Sequence, residues 1–445
     1  MLTSTFLFLM LVLLGPLMSI GFEVNAAATT SGEGSALRQG CYIAVALLLL
    51  LALKPWENFQ RILAIPLPLF VGLIYCWISL SWAIEPGVAL RRLILTSMVM
   101  WMLFASMRQL KFEEALKLLR VAMVLVLIAN YAAVFLWPEF GIHGGNQFDE
   151  FSLAGDWRGT LQHKNIAGAA CAFTVILFAF DRGKMPRWLQ ISVFAAAIYF
   201  LYRSNSKTSF GLGVAALAAG FLFLRYKLRY KGVVLALIGV LATTATVAAA
   251  IFQNPLTAKL SDPKAFTGRT QIWKAVGQFI VDHPILGSGY GSFWNIGPTS
   301  PIFTYASGEV TRMPSGHNGF LDVMAALGVP GFVLIVIVAV IMPVRKLLGS
   351  PLMVGSKGAL LAALFLFCIG HNFTETSLFD RDMLVWVMLM IAMALSQPDL
   401  INYRRAKFDV HSLLRITPNR RADPGLASAG GMISRERSSE RRRSS

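Results

Sequence analysis

Residues 319–343 have the sequence GFLDVMAALGVPGFVLIVIVAVIMP, an apolar run in which Asp322 is the one ionisable residue. A helix of about 20 predominantly apolar residues is long enough to cross the hydrocarbon core of a bilayer. The rest of the chain has a similar character, since 56% of its 445 residues are hydrophobic and 14% are charged. A soluble domain contains about 25% charged residues. We therefore predict an all-α, polytopic integral membrane protein.

We interpret twelve apolar runs as membrane-spanning helices. They are residues 3–22, 38–53, 62–81, 92–107, 118–137, 165–180, 188–202, 208–224, 232–252, 319–343, 358–370 and 383–396. The shorter runs must borrow flanking residues or thin the bilayer locally. The sequence thus predicts about twelve transmembrane helices in a membrane domain of residues 1–396, with one long loop, 253–318, that carries short helices.

Positive charge is divided unequally between the two alternating sets of loops. One set contains 26 Lys or Arg residues and 9 Asp or Glu residues; it comprises 54–61, 108–117, 181–187, 225–231, 344–357 and 397–445. The other set, counted with Asp322, contains 13 Lys or Arg residues and 14 Asp or Glu residues. It comprises 23–38, 82–92, 138–164, 203–207, 253–318 and 371–382. Because basic loops stay on the cytoplasmic side, we predict that both termini are cytoplasmic. The same bias explains the net charge of +17 without a nucleic-acid partner.

The two ends of the chain carry separate signals. Residues 24–28, with the sequence VNAAA, loosely resemble a signal-peptide cleavage site, but no basic residue precedes the first run, which favours a retained helix. Residues 397–445 are rich in Arg, Ser and Pro and lack the apolar residues that a folded core needs. We predict a disordered, basic cytoplasmic tail held near anionic membrane lipids; a regulatory contact is the alternative.

The outer loops carry the residue types that chemistry requires. The spans contain almost no ionisable residues, which argues against a proton- or ion-coupled carrier. The loop 253–318 is too long to be a simple connection, and His317 stands at its end, where a helix begins. A helix N-terminus disfavours an imidazolium, so His317 is a candidate general base that is neutral near pH 7. The alternative is a histidine that caps the helix or bonds a carbonyl group.

Several other polar residues on this side are candidates for substrate binding. Arg269 is a charged fork suited to diphosphate oxygens, with a surface or lipid-headgroup arginine as the alternative. Lys207 is a second outer cation that could bind substrate. The alternative is an ordinary lysine at a helix end that extends its amino group to the membrane interface. Gly287 and Gly289, with Gly291, suit either a phosphate-binding backbone nest or a plain turn. The triplet 380–382, Asp-Arg-Asp, has a spacing usable for a metal ion, but so short a pattern is weak, and we predict no metal site.

The pattern His317-Asn318, nine residues, Gly328, two residues, Gly331 resembles the signature of the O-antigen ligase and polysaccharide polymerase superfamily. The segments 268–273, 284–291 and 159–165 also resemble blocks of that family. The resemblance extends from about the third span to the twelfth and is best at 155–331.

The resemblance implies that a glycan linked to undecaprenyl diphosphate is transferred to a sugar hydroxyl on the periplasmic face of the bacterial inner membrane. Neither a nucleotide sugar nor a metal or other cofactor is implied. His317 would deprotonate the acceptor hydroxyl, and Arg269 would bind the departing diphosphate. Many members have an arginine where Lys207 stands. The expected substrate-binding residues are Lys207, Arg158, His163, Asn318, Gly287 and Gly289.

Three interpretations of the function follow from these residues. The segment 157–165 is closer to exopolysaccharide polymerases, so polymerisation of lipid-linked repeat units is the first. Ligation of O-antigen to the lipid A core uses the same donor with another acceptor, a glycolipid. A flippase or carrier for the lipid-linked glycan belongs to a different class and needs a hydrophilic path through the bilayer. Other polysaccharide export proteins are potential partners in each case.

Overall fold

A computed structural model describes residues 1–14, 36–144, 153–181, 183–240 and 269–397. Within these ranges the chain is helical, and its extended structure is limited to one isolated bridge between Ile142 and Trp157. The all-α prediction is confirmed for this part. The predicted tail from residue 398 onward and the first part of the long outer loop, 253–268, lie outside the described residues.

Thirteen helices of twelve residues or more occur in the described ranges. We number them α1 Leu2–Leu14, α2 Ala36–Leu53, α3 Leu67–Ile78, α4 Pro86–Met107, α5 Phe112–Leu136, α6 Lys164–Phe180, α7 Arg187–Arg203, α8 Lys207–Phe223, α9 Leu228–Val240, α10 Arg269–Asp282, α11 Gly319–Gly349, α12 Gly355–His371 and α13 Leu384–Leu395. Twelve of them overlap the predicted apolar runs, and α10 lies in the long outer loop.

Fewer described helices than the twelve predicted runs are long and apolar enough to be membrane spans. Among the described residues, α4, α5 and α11 are long and apolar enough to cross a membrane alone. The pair α8 and α9, bent by 117°, passes the same test when its two parts are taken together. The other apolar helices are too short to cross a bilayer core unless the bilayer thins locally around them. Twelve spans therefore stay a prediction.

Contacts between loops follow the two sets that the charge pattern defines. In the outer set, the Trp82 indole N–H donates to the carbonyl oxygen of Leu286 at 2.9 Å. In the inner set, the Tyr226 hydroxyl donates to the carbonyl oxygen of Leu348 at 2.7 Å, and the Lys357 amino group lies 3.0 Å from a Glu113 carboxylate oxygen. This grouping supports alternation of the helices, while their orientation in a cell stays a prediction.

Helices α6, α12 and α13 form the most deeply buried part of the fold. Nearly all residues of α13 are buried, and α6 is buried from Ala167 to Phe178. Trp386 of α13 and Phe367 of α12 are fully buried. Because α12 ends at His371 inside this packed centre, the loop that follows it begins from a fixed position.

Helix α11 is interrupted at Gly328, and the outer loop packs into the break. Gly328 has φ +67° and ψ −179°, a conformation that only glycine adopts readily. The interruption lets the Ser288 amide donate to the carbonyl oxygen of Ala325 at 2.9 Å, and the Val329 amide to that of Pro284 at 2.7 Å. A side chain at Gly328 would lie 2.1 Å from the carbonyl oxygen of Ile285. The glycine in the His-Asn pattern therefore fixes the long loop against α11.

We expect Gly328→Ala to destabilise the folded chain by about 3 kcal/mol, because it combines a strained backbone with a clash. The measurement is thermal unfolding of the purified protein in detergent. Gly277→Ala is the matched control, since a side chain at this helical glycine meets nothing within 4 Å. An alanine in a helix interior is favoured over glycine by about 1 kcal/mol, so this control should be neutral or stabilising. Equal unfolding temperatures for the two variants would contradict the packing described.

Candidate active site

The carboxylate of Glu375 brings the candidate residues together. It accepts a hydrogen bond from the Arg269 guanidinium at 2.5 Å and one from the Asn165 amide at 2.6 Å. Its second oxygen lies 3.1 Å from Nδ1 of His317. The two predicted catalytic residues thus share one acidic partner, which the sequence analysis did not identify.

The loop after α12 holds Glu375 in place through backbone contacts. The Glu375 amide donates to the carbonyl oxygen of His371 at 2.9 Å, which continues the last turn of the helix. The Asn372 side chain accepts from the amides of Ser377 and Leu378 at 3.0 and 2.7 Å. The first amide of α11, that of Gly319, donates to the carbonyl oxygens of Asn372 and Glu375. The start of α11 and the loop after α12 are therefore joined at the site.

The charge state of Glu375 determines which nitrogen of His317 carries the proton. Burial would raise the pKa of the Glu375 carboxyl, but the hydrogen bond with His317 and the positive charge of Arg269 outweigh it and lower the pKa to about 2. An ionised carboxylate only accepts hydrogen bonds, so Nδ1 of His317 must be the donor. Nε2 then has a free lone pair, the state that a general base requires.

The backbone presents the His317 ring in a constrained conformation. His317 has φ +48°, which is uncommon for a residue other than glycine. The residue after it, Asn318, caps α11: its side-chain oxygen accepts from the amides of Phe320 and Leu321 at 3.0 and 3.1 Å. The interpretation of His317 as a helix cap is therefore wrong. The side-chain oxygen of Asn318 is engaged in capping, so only its amide nitrogen is left for a substrate, and that role stays a prediction.

Arg269 is held at the site by two partners. One guanidinium nitrogen donates to the carbonyl oxygen of Thr374, and the other to Glu375. The side chain is 16% exposed, so it is not a freely solvated surface arginine. Since a guanidinium has five N–H donors, some of them stay available for an anion next to His317.

His163 lies in the same cluster as a neutral ring. Burial lowers the pKa of His163 to about 4, against a smaller opposing effect of the Glu375 charge. Its Nδ1 accepts a hydrogen bond from the backbone amide of Asn165 at 3.2 Å, so Nε2 of the neutral ring carries the proton. The ring also packs edge-on against His143, with 5.5 Å between centroids. The structure thus places His163 near Glu375 with a hydrogen-bond donor at Nε2, and its contact with a substrate stays a prediction.

Acid should destabilise the protein through His163. The unfolded ring takes up a proton with a pKa of 6.5, whereas the buried ring resists protonation until about pH 4. The stability contributed by the neutral ring is therefore complete above about pH 6.5 and is lost as the pH falls towards 4, by at most about 3 kcal/mol. We expect thermal stability in detergent to fall across this window, and to fall less in His163→Gln. Equal slopes for the two proteins would contradict a buried neutral ring.

The other expected substrate-binding residues have different positions. Lys207 is the exposed first residue of α8, and its neighbour Thr208 accepts a hydrogen bond from Thr374 at 3.2 Å, beside Arg269. Arg158 contacts Phe140. Its Nε donates to the carbonyl oxygen of Phe140 at 2.8 Å, and its guanidinium lies 5.7 Å from the centre of that ring. The helix end that carries Lys207 thus adjoins the loop that holds Arg269, and the substrate roles of Lys207 and Arg158 stay predictions.

The glycine run 287–291 is a packing element. The amides of Gly287 and Ser288 donate to carbonyl oxygens, and that of Tyr290 donates to the Ser79 hydroxyl. Side chains at Gly287 and Gly289 would lie 2.5 Å from the backbones of Ala325 and Ala83 respectively. Of the two expectations for this run, a turn that permits close backbone contact is favoured over a phosphate nest, because three of its amides are occupied.

The acidic residues of the triplet 380–382 also have protein partners. Asp382 accepts from Arg38 and from the Tyr42 hydroxyl, the latter at 2.5 Å, and Asp380 pairs with Arg381 at 2.7 Å. Within the described residues, no group of three or more His, Cys, Asp or Glu side chains is arranged to hold a metal ion. The contacts of Asp382 fix the loop after α12 to α2, because Arg38 and Tyr42 belong to that helix.

The motif resemblance has an independent counterpart in the family comparison. Residues 192–336 match the family model described as O-antigen ligase. This segment contains Lys207, Arg269 and His317, whereas Glu375 lies beyond it. No curated protein matches the chain. The match of residues 192–336 supports the resemblance of the chain to the O-antigen ligase and polymerase superfamily.

Proposed function

We propose that this membrane protein transfers a glycan from undecaprenyl diphosphate to a sugar hydroxyl at the periplasmic face of the inner membrane, and that it polymerises exported repeat units. The family supports glycan transfer of the ligase or polymerase type. One observation carries the proposal: Glu375 bonds both His317 and Arg269, so a base and a cation meet at one point. A transfer from a lipid diphosphate needs a base for the acceptor hydroxyl and a cation for the departing diphosphate.

The acceptor side of the reaction uses His317. Its Nε2 takes the proton from the acceptor hydroxyl as that oxygen bonds to the anomeric carbon of the donor glycan. The imidazolium formed in this step lies against the Glu375 carboxylate, which stabilises it and keeps the ring in one orientation. The proton leaves to water after the product departs.

The donor side uses the cations. As the bond between the anomeric carbon and the diphosphate oxygen breaks, negative charge develops on undecaprenyl diphosphate. Arg269 is positioned to neutralise it, and Lys207 adds a second positive charge at the neighbouring helix end. The diphosphate supplies the driving force, so no nucleotide is required on a face of the membrane where ATP is not available. Neither does the scheme require a divalent ion, since the two cations take its place.

A second candidate function is ligation of a finished glycan to the lipid A core. The description of the matched family, O-antigen ligase, favours it. Both reactions have the same donor and the same two catalytic groups, and they differ in the acceptor. A flippase is less well supported, because the described polar cluster lies in loops and at the ends of α6, α10, α11 and α12.

The proposal is tested by reconstituting the full chain in liposomes with a lipid-linked oligosaccharide. A ladder of products indicates polymerisation, and a single product on lipid A core indicates ligation. Vesicles in which the donor moves between leaflets without glycan transfer would instead support the flippase. We expect the transfer rate to be unchanged by EDTA, and a rate abolished by EDTA and restored by a divalent ion would contradict the metal-free scheme.

Arg269→Ala should lower kcat by about 10²-fold to 10³-fold, as does the loss of one group that stabilises developing charge. Arg269→Lys should recover part of the rate, since a point charge replaces the fork. Lys274→Ala, an exposed lysine on the same helix α10, is the control and should retain the wild-type rate. The diphosphate role fails if Arg269→Ala transfers glycan as fast as the control does.

A further inference from the structure

A cavity of about 130 Å³ lies next to the proposed catalytic site and takes no part in the scheme above. It is enclosed by α4, by the outer half of α11 and by the loops 290–295, 314–315 and 376–381. Its wall contains polar side chains and aromatic rings, among them Arg92, Asn295, Asp322, Thr376, Arg381 and Trp294. The volume suits part of a ligand, since complete drug-sized ligands occupy about 300–1,000 Å³.

Strained backbone conformations are concentrated around this cavity. Six residues other than glycine have positive φ in the described chain, and three of them, Asn295, Phe379 and Arg381, line the cavity with φ of 52°, 56° and 35°. A fourth is His317, two residues after Ser315 of the cavity wall. Such conformations cost free energy and cluster at ligand-binding and active sites. The loops therefore hold these backbone conformations at a cost in folding free energy, which indicates a function for the cavity.

One side chain joins the cavity to the catalytic pair. The Asp322 carboxylate accepts from the Gly316 amide at 3.0 Å, the Trp294 indole at 3.0 Å and the Thr376 hydroxyl at 2.5 Å. Gly316 immediately precedes His317, and Thr376 immediately follows Glu375. The cavity wall is thus continuous with the two loops that carry the base and its carboxylate partner.

The donor cations lie outside this cavity. Arg269 contacts Thr374 and Glu375, whereas the cavity is lined by the same loop from Thr376 onward, and neither Arg269 nor Lys207 belongs to its wall. Two arginines and two aspartates line the cavity, so their formal charges sum to zero. Arg269 and Lys207 with Glu375 leave a net formal charge of +1 on the other side, which favours a diphosphate there. The zero net charge of the cavity wall suits an uncharged, hydroxyl-rich ligand. The indole of Trp294 adds the flat apolar surface on which a sugar ring packs.

We propose that this cavity binds the terminal sugar ring of the acceptor glycan and presents its hydroxyl to His317. The inference rests on the proposed function, because it assigns the two substrates to opposite sides of the His317–Glu375 pair. Asn295 supplies an amide for the sugar hydroxyls, one N–H of which also donates to the carbonyl oxygen of Pro314 at 3.3 Å. Arg92 orders the wall by donating to three backbone carbonyl oxygens of the loop 290–295. The cavity volume of about 130 Å³ limits recognition to about one ring.

The test is Asn295→Gly in the full chain in liposomes. Glycine keeps the positive φ of this position, so the variant removes the amide group without adding backbone strain. The matched control is Asn205→Gly, an exposed asparagine with φ 49° on the same side of the fold. The donor is the lipid-linked oligosaccharide, and the acceptor probe is a lipid-free oligosaccharide of the same repeat, cut from the exported polymer.

We expect Asn295→Gly to raise the KM for the acceptor probe about fivefold to tenfold, the effect of one lost hydrogen bond to a ligand. The KM for the donor and its slow hydrolysis by water should match the control. Ala326→Leu, which fills the cavity from α11 without removing a hydrogen bond, should raise the acceptor KM in the same way. These paired variants distinguish loss of binding from loosening of the loop.

A rise in the donor KM with an unchanged acceptor KM would overturn the assignment and give the cavity to the donor glycan. Unchanged values for both substrates in both variants would overturn it as well. In either case the proposed function stands if His317→Ala abolishes transfer. If His317→Ala transfers glycan normally, the proposed function fails whatever the cavity variants do.

Discussion

Replacing His317 with alanine should lower kcat for glycan transfer by about 10³-fold, within the range of about 10²-fold to 10⁴-fold that general acid–base catalysis contributes. The reason is the position of the ring: its Nδ1 is bound to Glu375, and Nε2 is the free base. The donor KM should stay near the wild-type value, because the diphosphate-binding cations are unchanged. The measurement is the initial rate in liposomes with a fixed donor concentration.

His317→Gln separates proton transfer from positioning. A glutamine amide can donate to the Glu375 carboxylate as the imidazole does, but it cannot accept the proton of the acceptor hydroxyl. We expect this variant to be as stable as the wild type and as slow as His317→Ala. The control is His283→Ala, an exposed histidine after α10 on the same outer loop, which should retain activity. Normal transfer by either His317 variant would exclude a role as base.

The sequence was sufficient to predict the candidate base and the candidate cation but not the group that joins them. His317 and Arg269 stand in motifs that resemble a family, and the charge pattern assigns both to one side of the membrane. Glu375 bonds residues 58, 106 and 210 positions away along the chain. Pairings at such separations depend on how α6, α10, α11 and α12 pack. A lone glutamate in the loop 371–382 has no local pattern that predicts them.

The structure gives three of the expected substrate-binding residues, Asn318, Gly287 and Gly289, a structural role as well. Asn318 directly precedes an apolar helix, the ordinary position of an N-cap, and the structure shows it capping α11. The glycines 287 and 289 suggested a phosphate nest because positive φ serves both nests and tight packing. Their neighbours favour packing: the backbone of α11 lies where a side chain at Gly287 would be, and that of Ala83 where one at Gly289 would be. Such contacts are set by tertiary structure and leave no distinct sequence pattern.

Glu375→Ala should affect both stability and catalysis. Removal of one partner from a largely buried ion pair leaves the other unpaired, at a cost of about 3–5 kcal/mol. Here the Arg269 guanidinium and the Asn165 amide both lose their acceptor, and the His317 ring loses the group that orients it. We expect a lower thermal unfolding temperature in detergent together with a fall in kcat of about 10³-fold. Glu139→Ala, which removes an exposed glutamate from another outer loop, is the control for both measurements.

Further variants separate the two effects of Glu375. Glu375→Asp keeps the charge beside Arg269 but shortens the reach to His317, so stability should recover more than kcat does. The double variant His317→Ala with Glu375→Ala should be no slower than the slower single variant, because residues that act as one unit have non-additive effects on rate. Multiplied losses in the double variant would mean that the carboxylate acts independently of the imidazole. If Glu375→Ala transferred glycan at the wild-type rate, the carboxylate would have no role in the mechanism. Its hydrogen bond would then not be what orients His317 for catalysis.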